Sequence, residues 1–131
     1  DDDGCPDRGD ALVVVTPSSL DTMEGMQFTG TQVSKASANL MNQIGATLRA
    51  HAEIVRIKIV VHVQPTNDAE KDQDRSDKRA AAVRDALVQY GISANRISAI
   101  GLGGTKPLVP KNAKNAALLN DRIELIILER K

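Results

Sequence analysis

The chain has 131 residues, the size of one domain, and its 41% apolar and 26% charged residues exclude wholesale disorder and a membrane-embedded chain. Lys plus Arg and Asp plus Glu total 17 each, so no global field advertises a polyanionic partner such as nucleic acid. Phe28 and Tyr90 are the only aromatics, which argues against stacking platforms and leaves Val, Ile, Leu and Ala to build the core.

Residues 1 to 10 carry five Asp against Arg8, and this acidic stretch reads as a linker ahead of a domain spanning residues 11 to 131. Asp1, Asp3 and Asp7 surround Gly4 at a spacing that calcium loops use, but such a site needs six or more oxygens. An acidic solvated linker is therefore favoured over a calcium site. Cys5 is the only cysteine and excludes an internal disulfide. A first residue of Asp reads as an excised piece of something longer.

Ala11 to Val15 is a β-branched run ended by Thr16-Pro17 and predicts a strand; Met26 to Thr29 is a weaker second candidate before Gly30. From Ser34 to Ala50, Ala36, Leu40, Ile44 and Leu48 recur every four positions beside Met41, the pattern of a helix with one buried stripe. Ile54 to Gln64 alternates, with Val55, Ile57, Ile59, Val61 and Val63 on one face of a long strand. Pro65 to Asp74 is charged and aperiodic and predicts a loop, followed by a helix from Ser76 to Tyr90 with Ala80, Val83 and Leu87 inward and Gly91 ending it. Ile97 to Leu102 and Ile123 to Leu128 predict two further strands, with one helical turn at Asn115 to Leu119 between them. Strands alternating with two amphipathic helices imply an α/β (α+β) two-layer sandwich, a small mixed sheet with two main helices on one side.

The residues do not assemble an enzyme. His51 and His62 lie on different elements without a third ligand at matching spacing, which argues against zinc, and there is no G-x-S-x-G turn. Gly101-Leu102-Gly103-Gly104-Thr105-Lys106 lacks P-loop spacing, and Pro107 opposes a helix immediately after it. Arg79 is the charged residue of interest. If Ser76 caps the helix, the Arg79 guanidinium joins the free N–H groups of the helix terminus and makes a corner that attracts a carboxylate. The residues alone favour the plainer alternative, a surface pair with Asp72 or Asp77.

The order of signals from residue 26 to 128 resembles the OmpA-like peptidoglycan-binding domain. The resemblance is carried by Gln27-Phe28-Thr29, Val61-His62-Val63-Gln64, Ser76-x-x-Arg79-Ala80 and Tyr90-Gly91-Ile92. Asn95-Arg96-Ile97, Gly101-x-Gly103 with Pro107, and Asn120-Asp121-Arg122-Ile123-Glu124 complete it. It implies non-covalent binding of the diaminopimelate-containing stem peptide of peptidoglycan, and no enzyme activity. An aspartate and a helix arginine of the family clasp the ammonium and carboxylate of diaminopimelate. These positions fall on Gln64 and Arg79, the family's loop asparagine on Asp72, and its last-strand motif on Asn120, Asp121 and Arg122.

The ligand-binding set implied is Gln64, Asp72, Arg79, Asn120, Arg122 and His62; Asp1, Asp3 and Asp7 are the candidate calcium ligands of the less favoured reading of the acidic start. The acidic start also looks like the end of a thrombospondin type 3-like calcium repeat. By resemblance the parent is a Gram-negative envelope protein of the outer membrane, with this domain in the periplasm and not itself inserted in the membrane. Gln64 in place of aspartate, Val61 in place of glycine and Arg75 in place of leucine all fall near the expected pocket. They motivate the alternative of a structural or protein-interaction module that kept the fold and lost peptidoglycan binding. Asp68 or Asp72 is a candidate to replace the missing carboxylate, which the conformation of the loop decides.

Overall fold

The computed structural model describes residues 12–22, 26–105 and 121–131. The calcium expectation at Asp1, Asp3 and Asp7, the helical turn at Asn115 to Leu119, and Asn120 lie outside them. Among the described residues the chain runs β1 (Val13–Val15), β2 (Ser19–Thr22), β3 (Phe28–Thr29), β4 (Gln32–Val33), α1 (Ala38–Ala50) and β5 (Ile54–His62). It continues with α2 (Ala69–Gln89), β6 (Ile97–Gly101) and β7 (Arg122–Arg130). One sheet has the order β1-β2-β7-β5-β6, parallel only between β5 and β6, and β3 and β4 form a separate small hairpin.

Alternation along β5 and β7 puts Ile57, Ile59 and Val61 beside Ile127, Leu125 and Ile123 on the face toward the helices. Leu40, Ile44 and Leu48 of α1 and Ala80, Val83 and Leu87 of α2 close over them, giving the two-layer sandwich expected from the periodicities. Val55 is not part of that face. An irregularity between Ile54 and Ile57 shifts the phase, and Ile54 is buried instead. The strand β2 escapes sequence inspection because Ser-Leu-Asp-Thr is mostly polar; only Leu20 turns into the core, while pairing to Ile126 and Leu125 holds the backbone.

The largest departure is the start of α2. Ser76 is not its N-cap: the helix begins at Ala69, and the Asp68 side chain accepts from the Lys71 N–H at 3.1 Å, with Glu70 and Asp72 favourably placed in the first turn. The first two turns carry charge instead of an apolar stripe because only Asp72 points inward there, so periodicity could not reveal them. The C-terminus follows expectation. Gly91 takes φ of 95°, and the Gly91 and Ile92 N–H groups return to the Val88 and Leu87 carbonyls, closing the helix with buried Ile92 beneath it.

Ser76 instead lies buried in mid-helix where α2 crosses the end of β6. A Cβ at Gly101 would overlap its Oγ and the Ser76–Asp77 peptide, so glycine is what allows this approach. The Ser76 hydroxyl donates to the Gln73 carbonyl and accepts from the Gly103 N–H, 2.9 Å each. Gln73 Nε2 donates to the Gly101 carbonyl at 2.6 Å, and Asp77 accepts from its N–H at 3.0 Å. Helix side chains thus satisfy backbone groups at an edge strand that would otherwise be available for pairing. Gly101→Ala is expected to lower stability by about 3 kcal/mol, because the added methyl meets helix backbone that cannot swing aside; denaturant unfolding with an unchanged midpoint would contradict this account of the crossing.

Candidate functional site

The long α2 carries Asp72, Arg75 and Arg79 along one flank, toward the end of β5, the β3–β4 hairpin and the start of β7. Since the helix starts at Ala69, Arg79 stands well inside it, and the expected union of its guanidinium with free terminal N–H groups does not occur. Other groups hold it. Arg79 Nε donates to the Gly30 carbonyl at 2.9 Å, and the guanidinium carbon lies 4.8 Å from the centre of the Phe28 ring. Gly30 has φ of 65°, the left-handed turn that glycine takes readily at the hairpin tip. Arg79 Nη1 is 3.7 Å from Asp121 Oδ2, so the expected pairing with Asp72 or Asp77 is replaced by an acid distant in sequence. Burial lowers the Arg79 pKa, Asp121 opposes this and Arg75 adds to it; an arginine so placed keeps its charge.

Gln64 follows the end of β5 and is drawn into the same cluster through its backbone. Its N–H donates to Asp121 Oδ1 at 2.6 Å, and its carbonyl accepts from Arg75 Nη2 at 3.1 Å. Asp121 therefore joins Gln64 and Arg79, the two positions expected to form the site. Its own side chain remains 39% exposed, against 12% for Arg79.

Asp72 has a different task. It is buried, accepting from the Thr66 N–H at 2.9 Å and the Thr66 hydroxyl at 2.6 Å, with Arg75 3.6 Å away. It braces the β5–α2 connection, and with Asp68 committed to the helix cap neither acid replaces the carboxylate absent at Gln64. His62 is also corrected. Register places it with Arg122 and Val60 on the sheet face opposite Ile59 and Val61, where its Nε2 lies 2.7 Å from Glu124 Oε1. His62 and Arg122 are thus separated by the sheet from the face that α2 covers. Sequence inspection missed Phe28, the Gly30 carbonyl and Thr66 as parts of the cluster, and it placed Arg75 near the pocket without its contact to the Gln64 carbonyl; Phe28 and Asp121 lay within the matched motifs, but nothing in those motifs announced their contact with Arg79. Among the described residues no group of three His, Cys, Asp or Glu is placed to hold a metal.

A family model, the OmpA family, matches residues 27–120. A stretch of 54 residues is 37% identical to outer membrane porin F of Pseudomonas aeruginosa, covering 40% of this chain and 15% of that protein's length. The fold is similar to the peptidoglycan-associated lipoprotein of Burkholderia pseudomallei, with a TM-score of 0.69 and 25% identity over 79% of this chain and 86% of that one. The periplasmic domain of Helicobacter pylori MotB gives a TM-score of 0.70 at 17% identity, covering 88% of this chain and 86% of that one. The OmpA-like domain of FopA1 from Francisella tularensis gives 0.68 at 17% identity, covering 91% and 80%.

The acid limb of stability follows from Asp72. Burial alone would raise its pKa, but the Thr66 hydrogen bonds and Arg75 outweigh burial and hold the carboxyl below its ordinary value. A lowered folded pKa contributes stability that is fully present above the unfolded value, about 4, and is lost as pH falls through the folded one. Asp72→Asn is expected to lose about 1–3 kcal/mol near pH 7, with the difference from the parent starting to shrink below about pH 4 and closing only below the lowered folded pKa. Unfolding midpoints across that range check it; a loss independent of pH would mean the charge of Asp72 is not what stabilises the loop.

Proposed function

Because the chain belongs to the OmpA family, we propose that it binds peptidoglycan non-covalently, through the diaminopimelate-containing stem peptide, and anchors an envelope protein to the cell wall. The observation that carries this reading is Arg79, held from behind by the Gly30 carbonyl and the Phe28 ring at the junction with Gln64. A guanidinium fixed in this way loses little freedom when it takes a carboxylate, and its planar fork suits that group. Its assigned role is to hold a stem-peptide carboxylate, while Gln64 lines the same corner.

The relatives support the setting. One is a peptidoglycan-associated lipoprotein, one a periplasmic domain of MotB and one an outer membrane porin. The reading therefore puts the domain at the periplasmic face of the outer membrane as part of the proposal, and no described helix is long and apolar enough to cross a membrane. The chain is assigned no catalysis. A second reading, a module that retained the fold and lost recognition, is favoured by one contact. Asp121 lies 3.7 Å from Arg79 and offers it an internal anion.

Titration with a diaminopimelate-containing muropeptide decides between them. Saturable binding, weakened at least about tenfold by Arg79→Ala through loss of a charged hydrogen bond, is the expected result. No binding at millimolar ligand would leave the second reading.

A further inference from the structure

We propose that Asp121 is the acidic half of the ligand site, receiving the ammonium of a zwitterionic amino-acid end whose carboxylate Arg79 holds; this assignment rests on the peptidoglycan reading above. The geometry has three parts. First, the two opposite charges are adjacent in a long ion pair: the 3.7 Å separation exceeds that of a well-formed hydrogen bond, and each group carries further donors or acceptors that a ligand can take. Second, each is fixed from the protein side. Asp121 Oδ1 takes the Gln64 N–H at 2.6 Å, and Arg79 gives Nε to Gly30 over the Phe28 ring. Third, the Asp121 side chain is 39% exposed, which leaves carboxylate surface for an incoming cation.

The other acids nearby cannot serve. Asp72 is buried against Thr66, and Asp68 caps the helix. Asp121 alone among the acids of this cluster is both partly exposed and adjacent to Arg79. The Gln64 backbone brings the carboxylate to the place where an amide side chain offers no charge. Among the described residues the charges that act on Arg79 are Asp121 and Arg75, so removing the Asp121 charge tips the corner toward positive. Binding and selectivity should therefore change together. A zwitterionic end should lose affinity, whereas an end bearing only a carboxylate should not.

The test uses two probes, the diaminopimelate muropeptide with its side-chain amine free and the same compound with that amine acetylated, titrated calorimetrically into the chain and its Asp121→Asn and Gln64→Asp variants. Asp121→Asn is expected to weaken the free-amine probe about tenfold and to leave the acetylated probe unchanged or tighter. Gln64→Asp is expected to change the free-amine affinity less than about threefold, since an acid is already present. The assignment is overturned if Asp121→Asn binds the free-amine probe as well as or better than the parent, which would make Asp121 a plug on Arg79. It is also overturned if Gln64→Asp gains tenfold or more. Failure of the underlying reading looks different: the parent binds neither probe, and Arg79→Ala changes nothing. Thermal unfolding of Asp121→Asn, with its midpoint near the parent's, separates a lost contact from a lost fold.

Discussion

The close crossing of α2 over the end of β6 is the constraint on which the site depends. The helix reaches the sheet because Gly101 has no side chain and Ser76 has a small one. The contact is then fastened by Gln73 and Asp77 on the backbone of the edge strand. A helix fixed at that depth and rotation carries Asp72, Arg75 and Arg79 on the flank facing the β5 exit. Dispersion and burial by Val83 and Leu87 would hold the helix to the sheet, but a smooth apolar contact alone would tolerate sliding. Polar contacts at the crossing remove that freedom.

The cluster built on this flank is balanced in charge, and each ion has a protein-side partner. Arg75 spans the Gln64 carbonyl and the neighbourhood of Asp72, while Asp121 spans the Gln64 N–H and the neighbourhood of Arg79. One peptide segment at the end of β5 is thus gripped by two side chains of opposite charge. Neutral Gln64 is compatible with this arrangement because its backbone N–H and carbonyl make the contacts to Asp121 and Arg75. Exposure of the pair is one-sided: Asp121 is partly open to solvent, which screens the mutual attraction in part, while Arg79 is mostly covered.

Much of the architecture was legible because burial writes a period into the chain. The stripe Leu40, Ile44 and Leu48 marks α1, and Ile57, Ile59 and Val61 mark the sheet's inner face. Where burial leaves no period, the sequence reading stopped short. The first two turns of α2 are solvated and charged, so the helix could be read only from Ser76, and Arg79 was then placed near a terminus it does not approach. β2 was missed for the same reason, since a two-residue ladder to β7 needs only Leu20 inside. The site was readable as far as the family motifs carry it. They supplied Arg79 and Gln64, and they also supplied His62 and Arg122, which register assigns to the other face of the sheet.

By itself the amino-acid sequence determined the class of fold, the balance of charge, the pairing of two helices with a mixed sheet, and the identity of the arginine in the cluster. The first three follow from local periodicity and residue types, and the arginine from the resemblance of its motif to the family's; none needs knowledge of distant neighbours. Tertiary structure decided which acid meets that arginine. Asp68, Asp72, Asp77 and Asp121 are equivalent as residue types, and three of them lie much nearer in sequence to Arg79 than the fourth does. A helix cap, a threonine and an edge-strand amide occupy the nearer three, and the arrival of β7 beside β5 brings Asp121 to Arg79. Electrostatic partnership depends on distance through space, and only the folded sheet sets that distance.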